Sequence, residues 1–292
     1  MDYILENEYL QVTVSTLGAQ LKSVIRKDDG VEHIWQADPA VWGSHAPILF
    51  PYTGRLKDGK MIAKGRTYEN CKPHGFARNL EHSLVYHKKD TLVLQLTESE
   101  ETLSVWPWKF RLLSSFTLEG DTLCHALTVE NRDEEPIQFG LGFHPAFAIP
   151  FDSHRTAEDY VLGFDRLESP LCLATPRGLL TGNTYYLGKN IRQIPLDDQL
   201  FANDSHCMTG LQSRTLGLYE KGTGRAVVCT IEDFPNCLIW SKPGTPRFVC
   251  IEPWMSLPGP EEGGYAWEEK PAAARLNPGE SYTATMRTAF VR

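Results

Sequence analysis

The 292 residues include 29 basic and 37 acidic side chains, a formal net charge of -8, which argues against a basic surface for nucleic acid. With 41% hydrophobic and 23% charged residues the chain has material for a large core, which excludes a disordered or fibrous class. The most apolar stretch, Phe139 to Phe151, is broken by His144, Pro145 and Pro150 and falls short of the ~18 apolar residues of a membrane-spanning helix.

Taken in chain order, the predicted elements are almost all strands. The N-terminus, Met1-Asp2-Tyr3-Ile4, lacks the basic and apolar regions of a signal peptide. Leu10 to Val14 alternates apolar and polar residues, and Leu92 to Leu96 does so in part. Phe110 to Leu118 reads as a strand, followed by a tight hairpin turn at Glu119-Gly120-Asp121. Leu123, His125, Leu127 and Val129 then share one face of the next strand, because side chains alternate with period two. Further strands are expected over Arg225 to Ile231, Cys237 to Ser241, Arg247 to Ile251 and Ser281 to Phe290. Asn277-Pro278-Gly279-Glu280 has the chemistry of a type II turn. Helical periodicity is confined to short turns near Asp38 to Trp42 and Gln199 to Asn203. The Pro/Gly-rich stretches at 243–246 and 258–264 read as loops. The expectation is a single all-β domain over residues 1–292, a large antiparallel β-sandwich. Seven scattered cysteines with no CxxC pair fit a reducing cytoplasm better than a disulfide framework.

One carboxylate stands out. In Phe248-Val249-Cys250-Ile251-Glu252-Pro253-Trp254 an acid follows an apolar run, where burial is costly without a partner or a task. Proline comes next, so the strand is expected to end there, with Glu252 at a sheet edge or rim. Two histidine motifs can supply a partner. His144, in Gly142-Phe143-His144-Pro145-Ala146-Phe147, is either a core histidine bonded to a carbonyl or a general acid in a pocket. His74, in Lys72-Pro73-His74-Gly75-Phe76-Ala77-Arg78, is either an exposed loop residue or a site residue. Arg55 follows a Pro/Gly-rich bend and either donates through its planar fork to hydroxyls or a carboxylate or is a solvated surface arginine. Asp204 either accepts from hydroxyls or forms a turn. Trp254 is a possible stacking face beside Glu252. No nucleotide-binding loop, zinc-protease helix or serine-hydrolase elbow occurs, and no histidine pair has metal-ligand spacing beside a cysteine or carboxylate. No metal or cofactor is therefore expected.

These motifs, in this order, resemble the aldose 1-epimerase (galactose mutarotase-like) superfamily, and most closely its LacX-like branch. The matching segments are Trp35-Gln36-Ala37-Asp38-Pro39, Pro47 to Pro51 with Gly54-Arg55-Leu56, His74 to Arg78, Gly142 to Phe147, Leu200-Phe201 with Asp204, Cys250 to Trp254, and Leu276 to Glu280. The resemblance implies a supersandwich with a sugar cleft on one concave sheet face and a small-molecule sugar substrate. It also implies that Glu252 is the base and His144 the acid of ring opening and closure, with His74, Arg55 and Asp204 binding the sugar. Two alternatives stand beside it: a hexose-6-phosphate mutarotase, which needs a cationic clamp to which Arg55 and Arg78 can contribute, and a non-catalytic carbohydrate-binding sandwich. A glycosidase usually needs two carboxylates flanking the bond, and the sequence offers one well-placed candidate.

Overall fold

The computed structural model describes residues 1–292. Nine antiparallel strands form one large sheet, in the spatial order Ile191–Pro195, Tyr160–Glu168, Thr215–Glu220, Ala226–Thr230, Ser281–Val291, Thr122–Asn131, Phe110–Glu119, Thr91–Thr97, Ser83–His87. The alternation in the sequence sets its faces: Phe110, Leu112, Ser114, Phe116 and Leu118 are buried, and the residues between them are partly exposed. Glu119 pairs with Thr122, so Gly120 and Asp121 make the two-residue hairpin turn, with Gly120 at φ 62°. Gly279 at φ 78° and the bond from the Glu280 N–H to the Asn277 carbonyl close the second expected turn.

The second sheet carries the site. Its strands are β1 (Ile48–Leu49), β2 (Gly142–Phe143), β3 (Ala146–Ala148), β4 (Leu171–Leu173), β5 (Thr184–Tyr186), β6 (His206–Thr209), β7 (Asn236–Trp240) and β8 (Phe248–Trp254). They lie in the order β5-β4-β6-β7-β8-β2-β1, and β3 also pairs with β8. Val249 and Ile251 of β8 and Ile239 of β7 share one apolar core with Leu112, Phe116, Leu127 and Phe290 of the larger sheet. The two sheets are therefore layers of one sandwich. The intervening residues, Leu238 and Trp240 of β7 and Phe248, Cys250, Glu252 and Trp254 of β8, face the other way.

A three-stranded sheet (Asp2–Glu6, Leu10–Ser15, Gln20–Arg26) flanks the sandwich. The α-helical content is a single turn, Glu100–Leu103, capped by Ser99. The segments near Asp38 and Gln199 are hydrogen-bonded turns, closed by Val41 and Trp42 N–H on the Asp38 carbonyl and by Ala202 N–H on the Gln199 carbonyl. No helix is long and apolar enough to cross a membrane.

The expected strand end at Glu252 is corrected: β8 continues through Pro253 to Trp254, and Glu252 lies inside the sheet. The direction of the backbone groups explains why. Met255 N–H bonds the Leu141 carbonyl, and Ile149 N–H bonds the Arg247 carbonyl. Odd-numbered residues of this strand thus turn their backbone groups toward β2 and β3, while β7 pairs without interruption on the other side. The N–H that Pro253 lacks falls on the side where pairing is already broken, between β2 and β3. Proline is tolerated there as it is at an edge.

Candidate active site

That break in pairing builds the site. Gly142 pairs with Trp254 and Ala146 with Cys250, a single register that sets His144 opposite Glu252 across the gap. Directly opposed residues project from the same face. His144 is 7% exposed and Glu252 2% exposed, and His144 Nε2 stands 3.3 Å from Glu252 Oε2. The approach has ion-pair distance but not hydrogen-bond geometry. Glu252 Oε2, His144 Nδ1 and the Trp254 indole N–H are all buried without a hydrogen-bond partner. Natural proteins leave few such groups, and three on residues lining one cleft make it a candidate place for a polar ligand.

The electrostatics follow from burial. The Glu252 carboxyl is held well above its ordinary range, chiefly by burial; the neighbouring Trp254 indole and Arg78 guanidinium pull it back, and Asp204 pushes it further up. Burial, His74 and Arg78 hold the His144 imidazole well below its ordinary value. Burial thus favours the uncharged form of both groups. The His144 ring stacks on Trp42, with centroids 5.1 Å apart and planes 19° apart, and meets the edges of His74 and Trp240.

His74 is set by a strained turn. It lies at φ 66° and Gly75 at φ 74°. A Cβ on Gly75 would come within 2.2 Å of the Phe50 carbonyl oxygen, so this position requires glycine. The turn lets Gly54 N–H donate to His74 Nδ1 at 3.2 Å, while the His74 backbone N–H donates to the Gly54 carbonyl at 2.8 Å. Burial, helped by Arg78, Arg55 and Lys270, holds the His74 imidazole down at about 3. It is a neutral ring, and with Nδ1 accepting, its proton is on Nε2.

A cleft of about 380 Å³ gathers all five residues expected from the sequence: Glu252, His144, His74, Arg55 and Asp204. Its volume falls in the ~300–1,000 Å³ range of small-molecule sites. Arg55 and Asp204 are exposed side chains on its wall. Arg78, Trp42, Trp240, Arg177 and Lys242 also line it. Trp254 is 3% exposed and shows the cleft little ring surface, whereas Trp42 and Trp240 are only partly buried. Trp240 shares a strand face with Leu238, a placement that alternation along the expected strand could have found, whereas Lys242 lies past the strand's end. Cavities elsewhere, one by Trp35 and Arg247 and one by Ser213 and Arg214, have no histidine in their walls.

Ligand atoms of His144, Cys250 and Glu252 lie within 4.8 Å of one another. A metal ion there would occupy His144 and Glu252 and displace the proton of Cys250, whose thiol burial holds well above its ordinary value. His144 is distant in sequence from Cys250 and Glu252, so motif spacing could not reveal the cluster.

The chain belongs to the aldose 1-epimerase family, whose model matches residues 1–289. Within it the chain is similar to the plasmid-encoded protein LacX of Lactococcus lactis subsp. lactis, at 32% identity over 286 residues and 94% of each chain. Among solved structures, a galactose mutarotase related enzyme from Lactobacillus acidophilus superposes with a TM-score of 0.95 at 32% identity, covering 99% of this chain and 97% of that one. A galactose mutarotase-like protein from Lactobacillus casei ATCC 334 gives a TM-score of 0.92 at 26% identity over all of both chains.

Proposed function

We propose that the protein is an aldose 1-epimerase that interconverts the α and β anomers of an aldose, with residues 1–292 acting as one cytoplasmic domain. The observation that carries this reading is the buried His144–Glu252 pair, opposed on neighbouring strands in a cleft lined by tryptophans and hydroxyl-binding groups. The pair needs one exchangeable proton. Burial favours that proton on Glu252; hydrogen bonds from sugar hydroxyls, with Arg78 and Trp254, favour the carboxylate and the imidazolium. Glu252 then takes the proton of the anomeric hydroxyl while His144 gives its proton to the ring oxygen. The C1–ring oxygen bond breaks and the C1 carbonyl forms. Rotation about C1–C2 presents the other face, and the two groups exchange roles to close the ring. His74 Nε2–H, Arg55 and Asp204 hold the sugar hydroxyls. No step calls for a metal or redox cofactor. The seven unpaired, buried cysteines support a reducing compartment.

Polarimetry of freshly dissolved α-glucose and α-galactose tests the reading. Acceleration is expected with the native chain, and Glu252→Gln should lose it by ~10²–10⁴-fold while still binding sugar. Full activity in that variant would sink the assignment of Glu252. Arg55, Arg78 and Lys242 outnumber Asp204 and Glu252 in the cleft wall, with Arg177 there already paired to Glu261, which favours a second reading, a phosphorylated aldose. Inhibition by inorganic phosphate and a preference for the 6-phosphate over the free sugar would select it. Sugar binding with no acceleration for either substrate would leave a carbohydrate-binding protein.

A further inference from the structure

Lys270 follows the 3₁₀ turn Trp267–Glu269 and is 7% exposed. It makes no ion pair; its ammonium contacts the Leu257 carbonyl and stands 3.5 Å from the Thr53 carbonyl. A buried cation without an anion is costly, and an apolar side chain could fill the same space at less cost. Burial lowers this ammonium to about 7. The two carbonyls it touches immediately precede residues of the cleft wall, Gly54 and Pro258.

The Thr53 carbonyl and the Gly54 N–H belong to the same peptide group, and that N–H is the donor to His74 Nδ1. We propose that Lys270 is a positioning residue that acts through the Thr53–Gly54 peptide to hold His74 as the neutral imidazole with its proton on Nε2. A cation at the carbonyl oxygen polarises the amide and strengthens its N–H as a donor, because hydrogen bonds in series reinforce one another. Bonds on both sides hold the peptide: Thr53 Oγ1 donates to the Ser256 carbonyl at 2.6 Å, and the His74 N–H donates to the Gly54 carbonyl at 2.8 Å. A His74 ring fixed in this state presents one donor, and no acceptor, to a sugar oxygen. The functional part of this inference rests on the reading of the cleft as a sugar site; the tautomer itself does not.

The test is nitrogen NMR of the full chain with labelled histidine, without substrate, beside Lys270→Met. In the native chain His74 should show a bare Nδ1 and a protonated Nε2 from pH 5 to 6, where Lys270 keeps its charge. In Lys270→Met the ring should exchange between tautomers and protonate about tenfold more readily. KM for the sugar should rise severalfold, with kcat less affected. A proton on Nδ1 in the native chain, or an unchanged tautomer and midpoint in the variant, would overturn the proposal. If Lys270→Met does not fold, Lys270→Gln keeps N–H donors without the charge. It should retain the Nε2–H tautomer but protonate at higher pH, and an unchanged midpoint there overturns the role of the charge. Failure of the polarimetry alone leaves these spectra unaffected, so the two readings fail separately.

Discussion

At the scale of single residues, the site is defined by what its groups are denied. Glu252 and His144 have lost water, and burial shifts them in opposite directions, the carboxyl up and the imidazole down. The pair therefore titrates as a unit, and the state with one shared proton spans the interval between the two limits. Below the lower limit both groups are protonated and no base remains. Above the upper limit the shared proton is gone and no acid remains. The mutarotation rate should follow a bell with a broad top, whose acid limb lies well below the ordinary 6.5 of histidine and whose alkaline limb lies well above the ordinary 4.5 of glutamate. Rates measured from pH 4 to 10 with a soluble aldose check this. A narrow bell with its acid limb near 6.5 would mean that His144 is not buried as described. Both residues were visible in the sequence, because an acid and an imidazole inside apolar runs are conspicuous. Their partnership was expected, but their direct opposition was not legible, since it depends on a register that only the assembled sheet fixes.

At the scale of elements, the site depends on backbone irregularity. The break between β2 and β3 frees His144 from the ladder, and Pro253 fits only because it faces that break. Reading proline as a terminator misplaced Glu252 at a rim for this reason: local rules treat each strand alone, whereas a neighbour's interruption decides whether a missing N–H matters. Strands with clean alternation, such as Phe110–Glu119, were legible, while Tyr160–Glu168, with its core run and a central glycine, was not. The turn that carries His74 gives a direct test. Gly75→Ala places a Cβ against the Phe50 carbonyl in a left-handed conformation, at a cost of about 1–3 kcal/mol. The variant should melt at lower temperature and show a raised KM, because the Phe50–Gly75 contact and the bond to Gly54 move together. Unchanged melting and KM would show that the turn relaxes freely and does not place His74.

At the scale of the whole molecule, the fold stores several imidazoles in forms that acid disfavours. His33, His82 and His125 are 2%, 2% and 3% exposed, and burial lowers them to about 4, 4 and 3. In the unfolded chain each titrates near ~6.5, so below that pH the unfolded state binds protons that the folded state refuses. Stability is complete above the unfolded value and declines as pH falls, until the folded values are reached. At pH 5 each of these histidines forfeits about 2 kcal/mol, a large share of the ~5–15 kcal/mol that holds a typical domain together. Urea unfolding should show the midpoint falling steeply from pH 6.5 to 5, before most carboxylates titrate. His33 isolates the effect. Neither ring nitrogen has a hydrogen-bond partner, and Phe151 and Phe290 pack on it. His33→Leu should flatten the pH slope by about one proton and make the protein more stable at pH 5 than the native chain, with a smaller difference at pH 7. The charges facing this ring, Arg26 and Arg225 against Asp28 and Asp29, are unchanged by the substitution. An identical pH slope in His33→Leu would mean that carboxylates, not buried imidazoles, set the acid limit of the fold.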